Sequence, residues 1–137
     1  MSGLSQLLRL QRWTLDEKRR QAGDLELLIE RLVQDITQLD AAVEREIAAS
    51  RENLELQRAL PGYRQVMKDR RARLDRSMVD LRGELEKLRG QITEAFSELK
   101  KTEQTLKNRE QRQRFAERRK DQAISDEIGL QQHRRKG

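Results

Sequence analysis

The amino-acid sequence predicts an all-α fold, a long two-helix antiparallel coiled-coil hairpin, and three observations lead there. Apolar residues recur in steps of three and four along two separate stretches. The only proline, Pro61, stands between those stretches with Gly62 beside it. Charged residues make up 39% of the 137 and aromatic residues 3%, which is too little apolar material for a thick core and enough for a narrow seam.

The first run is Leu8, Gln11, Leu15, Lys18, Ala22, Leu25, Ile29, Leu32, Ile36, Leu39 and Val43. A four-residue step to Ile47, where three is due, acts as a stutter, and the run continues through Ser50 to Leu54. Next comes Leu60-Pro61-Gly62-Tyr63, where proline disfavours helix at the residue before it and glycine tolerates a left-handed turn. The second run is Met67, Arg71, Leu74, Met78, Leu81, Leu85, Leu88, Ile92, Ala95, Leu99, Thr102 and Leu106. Reversal at Pro61-Gly62 sets Leu15 against Leu106, Ala22 against Leu99, Ile29 against Ile92 and Val43 against Met78. Polar seam residues then coincide, Ser50 facing Arg71 and Lys18 facing Thr102. A slip by whole heptads also matches apolar to apolar, so the turn is what selects this register. The expected organisation is one domain over 1–137, with helix 1 at 4–59, the turn at 60–63 and helix 2 at 64–128. Residues after about 118 lack a partner arm, and 129–137 read as a disordered tail.

Composition also narrows the function. No cysteine is present, so a disulfide framework and a thiolate metal site are both excluded. His133 is the only histidine and lies in the tail, without partners for a triad or a metal cluster. Carboxylate pairs such as Glu44/Glu46 and Glu84/Glu86 belong to solvated helix faces, and Gly83 and Gly90 resemble no phosphate-binding loop. The reading is of a protein that is not an enzyme and takes no cofactor or metal. No apolar run approaches the roughly 18 residues of a membrane span, and the first residues lack the features of a signal peptide. A cytoplasmic protein with no direct membrane insertion is expected.

What remains is contact with other proteins. Lys107, Arg109, Arg112, Arg114, Arg118, Arg119 and Lys120 are opposed only by Glu110 and Glu117, and a second basic patch runs from Arg64 to Arg76. Each patch is either an ordinary solvated face or a surface for an acidic protein. Nucleic acid is disfavoured, because the basic block follows the seam and stacking aromatics are few. Leu4, Leu7, Leu8, Leu10 and Trp13 exceed what one seam can bury, and Phe115, Ile124, Ile128 and Leu130 lie where the opposing arm is ending. Such surplus apolar residues mark a binding surface, local packing or self-association.

The stretch Ala95-Phe96-Ser97-Glu98-Leu99-Lys100-Lys101-Thr102-Glu103, the charged helix to Lys120-Asp121-Gln122-Ala123, and the close Asp126-Glu127-Ile128-Gly129-Leu130 resemble the FliJ family of flagellar export proteins, in particular those of alphaproteobacteria. The resemblance implies a coiled-coil stalk of flagellar type III protein export, with a place in flagellum biogenesis and so in chemotaxis. It implies three partners: the hexameric export ATPase ring, the cytoplasmic domain of the export gate, and export chaperones. Localisation would be cytoplasmic, peripheral at the inner-membrane export apparatus. Carried onto this chain, Leu7, Leu10, Trp13, Phe115, Arg118 and Arg119 would meet the ATPase, and Tyr63, Met67, Arg70 and Arg71 the gate. Injectisome stalk proteins share this shape and job and are the nearest alternative. A generic coiled-coil adaptor is the other.

Overall fold

A computed structural model describes residues 3–136, which are helical except at 51–53. Helix α1 is Gly3–Ser50 and helix α2 is Leu54–Lys136, and the two pack against each other as an all-α hairpin. By contacts the chain divides into two units, Leu15–Glu94 and Met1–Thr14 with Ala95–Gly137.

In Leu15–Glu94 the predicted seam residues, Leu54 excepted, are covered. Leu15, Ala22, Leu39, Met78, Leu85 and Leu88 are buried, and those between them are half-buried. Ala22, Leu85 and Leu88 form a tight cluster with Leu25, Ile29 and Ile92 packed on it. Burial of such side chains stabilises by roughly 1.5–3 kcal/mol each at best, so this narrow seam is the main favourable term. Two polar seam residues of this unit find partners. Ser50 Oγ donates to the Ile47 carbonyl at 2.7 Å, and the half-buried Lys18 sends its ammonium to Gln91 Oε1 at 2.9 Å.

The turn is not where proline suggests. It lies at Arg51–Asn53, and both Pro61 and Gly62 are inside α2. Asn53 is the N-cap: its Oδ1 accepts from the backbone N–H of Glu55 at 3.0 Å and of Leu56 at 3.2 Å. Glu55 adds negative charge in the first turn, where the helix dipole favours it. Gly62 adopts no left-handed conformation. Pro61 withholds only the hydrogen bond to the Gln57 carbonyl, and Gln57, Arg58, Pro61 and Gly62 are all on the exposed side, where water can satisfy it. Leu56, Leu60 and Tyr63 are half-buried, so the second seam begins eleven residues before Met67; Leu54, expected on the first seam, is 63% exposed.

The register moves with the turn. Asp40 pairs with Arg71, where the expected alignment set Asp40 near Leu81 and Arg71 against Ser50. Glu26 meets Arg89 at 3.5 Å instead of neighbouring Ala95, and Lys18 meets Gln91 instead of Thr102. These pairings fall as α1 numbers rise, which is the antiparallel order. The displacement is roughly one heptad, the slip that an apolar pattern cannot detect.

In the other unit, Leu8 and Leu99 are buried, and Thr102 is buried with its Oγ1 donating to the Glu98 carbonyl at 3.1 Å. Cover ends at Leu106: every described residue from Lys107 onward is exposed, earlier than the expected limit near 118. The helix nevertheless continues to Lys136, so α2 neither stops at 128 nor gives way to a disordered stretch over 129–136; Gly137 lies outside the described residues. Strong helix formers dominate this extension, Gln122 donates to Asp126 one turn on, and His133 to Lys136 complement the dipole at the C-terminus.

Candidate protein-contact surface

The apolar side chains that the seam leaves uncovered sit on helix faces set by simple spacing. In α1, Leu7, Leu10 and Trp13 follow one another by three residues, adjacent to but off the Leu8, Gln11, Leu15 seam stripe. Leu7 is 42% exposed, Leu10 59% and Trp13 64%. Arg12, on the same helical turn as Trp13, reaches Glu103 at 3.6 Å, and Glu103 also accepts from Lys100 Nζ at 3.1 Å. The Lys100 hydrogen bond, then the charges of Lys100 and Arg12, hold the Glu103 carboxyl below its ordinary range.

On α2 of the same unit Phe115 is 62% exposed. Its neighbours at three and four residues are Gln111, Arg112, Arg118 and Arg119, and the Arg119 guanidinium lies 5.8 Å from the ring centroid. The six residues assigned to the ATPase by resemblance are thus all exposed and all within one unit. They are aromatic, leucine and arginine side chains, the first and last of which supply much of the energy in protein interfaces.

The four residues assigned to the gate do not form such a surface. Tyr63 and Met67 are half-buried seam residues, and neither lies at the turn. Arg71 is held by Asp40 and by Asp75, the latter at 3.1 Å; these two hydrogen bonds, Asp40 first, raise its pKa above the ordinary guanidinium value. Only Arg70 is exposed. Moving the turn upstream is what absorbed the others.

Further exposed apolar residues escaped the sequence reading. Leu27 and Leu28 are 65% and 49% exposed on α1, and together with Asp24, Glu30, Arg31 and Gln34 they outline a shallow hollow. Their signal was available: both are off the seam in a stretch where the seam is already full.

Among the described residues no cluster of three His, Cys, Asp or Glu side chains could hold a metal ion, and no helix is long and apolar enough to cross a membrane. Fold and surface together define the class: a coiled-coil hairpin with exposed aromatic and basic side chains. Set beside known proteins, the chain matches no family profile, no characterised protein and no solved structure.

Proposed function

We propose that this chain is a non-enzymatic stalk of flagellar type III protein export, which binds the hexameric export ATPase and links it to the export gate and to chaperones at the cytoplasmic face of the membrane. The observation that carries the reading is the exposure of Trp13 and Phe115 in one unit, each with arginine nearby, on an otherwise solvated helix pair. The likeness of residues 95–130 to the FliJ family supplies the partner. Exposed aromatic and leucine side chains on both helices of this unit are side chains that a ring of subunits can enclose. For the gate, Arg70 is the assigned residue best able to reach a partner, since Tyr63, Met67 and Arg71 are engaged within the hairpin.

The test adds purified chain to a flagellar export ATPase and follows ring assembly and ATP turnover. Stimulation is expected. Trp13→Ala with Phe115→Ala should raise the concentration for half-stimulation at least about tenfold, the loss of roughly one hot-spot contact, with helical content unchanged. No stimulation at any excess of protein rejects the stalk reading. A response confined to an injectisome ATPase moves the assignment to that system, and silence with both leaves a coiled-coil adaptor.

A further inference from the structure

The basic face around Phe115 has no acid to meet within its own unit. Three of the four helical neighbours of Phe115 are arginines, whereas Glu110, Glu117 and Asp121, spaced by seven and four, line the opposite side of α2. Among the described residues no carboxylate lies within 4.0 Å of Arg112, Arg118 or Arg119. The α1 portion of that unit, residues 3–14, carries Arg9 and Arg12 and no acid at all. Helix α2 runs unbroken to Lys136, so it contains no turn at which the extension could reverse.

The complementary chemistry is present elsewhere in the same sequence. From Asp24 to Glu46 α1 holds seven acids against Arg31 and Arg45. Glu26 and Asp40 are occupied by Arg89 and Arg71, but among the described residues Asp24, Glu30 and Asp35 make no ion pair. Asp24, Glu30 and Arg31 are three of the four helical neighbours of exposed Leu27, leaving one net negative charge around it. At the fourth, Gly23, an added Cβ would meet nothing within 4 Å, which leaves open space beside the leucine.

We propose that the Phe115 face of α2 docks on the Leu27–Leu28 face of α1 in a second copy of this chain, forming a two-fold dimer. Phe115 lies over Leu27 and the gap at Gly23, and Arg112 and Arg119 pair with Asp24 and Glu30. Arginine and carboxylate can pair through two parallel hydrogen bonds, which fixes direction as well as strength. Every copy carries both halves in equal amount. One contact leaves a basic and an acidic face open; two reciprocal contacts satisfy all four and close the assembly. The inference does not rest on the export role, although the dimer covers Phe115 and so competes with any other partner there.

Sedimentation equilibrium of the full chain tests it. At low salt the mass should be twice that of one chain, and high salt should dissociate it, because the contact is charged and lies at the surface. Arg112→Glu with Arg119→Glu, or Asp24→Lys with Glu30→Lys, should each weaken association at least about tenfold by setting like charges together. The chain with all four changes should recover to within a few fold of the original, which a folding defect would not permit. A single-chain mass under all conditions overturns the proposal, as does a dimer indifferent to either pair of changes or a four-fold variant that fails to recover. A monomer that retains polyglutamate overturns it as well, in favour of a foreign acidic partner.

Discussion

The segment Leu15–Glu94 and the extension 107–136 are both helical, both heavily charged and both rich in strong helix formers, yet only the first has a covered side. In Leu15–Glu94 the three-and-four spacing carries leucine, isoleucine, alanine and methionine. In the extension the same spacing carries Arg109, Gln113, Ala116 and Lys120. Helix propensity is therefore shared and tertiary support is not. An isolated helix is held by its own hydrogen bonds and is marginal in water, whereas a seam adds burial at every turn. The extension leaves all its faces exposed, whereas each hairpin arm covers one face with the other.

The largest effect that separates the two regions is truncation. Leu85→Ala should destabilise the chain by about 2–5 kcal/mol in urea denaturation, since Leu85 belongs to the tight cluster with Ala22 and Leu88. At high salt, where each chain is a single copy, Phe115→Ala, which removes a larger side chain from an exposed site, should change stability by less than about 0.5 kcal/mol. Equal losses at the two positions would mean that the extension is packed after all.

The position of the turn can be tested next. With Pro61 inside α2, Pro61→Ala should raise stability by up to about 3 kcal/mol by restoring the bond to Gln57 and relieving the ring clash. Asn53→Ala should lower stability by about 1 kcal/mol through loss of the cap. A turn at 60–63 would give the reverse pattern, with Pro61 helpful and Asn53 silent.

The smallest effect is a pH dependence in the unit that holds the aromatic surface. The folded pKa of Glu103 is depressed by Lys100 and Arg12, so its contribution is complete above the unfolded carboxylate value and is lost as pH falls through the lower folded one. The thermal midpoint of the original chain should exceed that of Glu103→Gln near neutrality, with the gap closing in acid. A gap that widens on acidification would show that the pairing with Arg12 and Lys100 is unimportant.

Legibility in the sequence was uneven, for physical reasons. Each seam residue from Leu8 to Ser50 and from Met67 to Leu106 was readable, because burial follows a period that side-chain character records directly. The exposure of Leu7, Leu10, Trp13 and Phe115 was readable by subtraction, as apolar residues in excess of one seam. The Leu27–Leu28 face could have been found in the same way. Tyr63, Met67 and Arg71 were expected beside the bend, and their place in the fold depended on where the chain reverses. Asn53 followed by Glu55, just after the stutter at Ile47, was the local sign of the true turn, and Pro61 outweighed it.

By itself, then, the sequence determined that two helices share a heptad seam, which residues fill it, and which large side chains it cannot accommodate. The tertiary structure decided the turn at Arg51–Asn53, the alignment of the helices, and the length of α2 left uncovered. A heptad pattern looks the same after a shift of seven residues, so periodicity cannot choose among registers. That choice falls to the capped turn, and to cross-helix pairs such as Asp40 with Arg71 that only one alignment brings together.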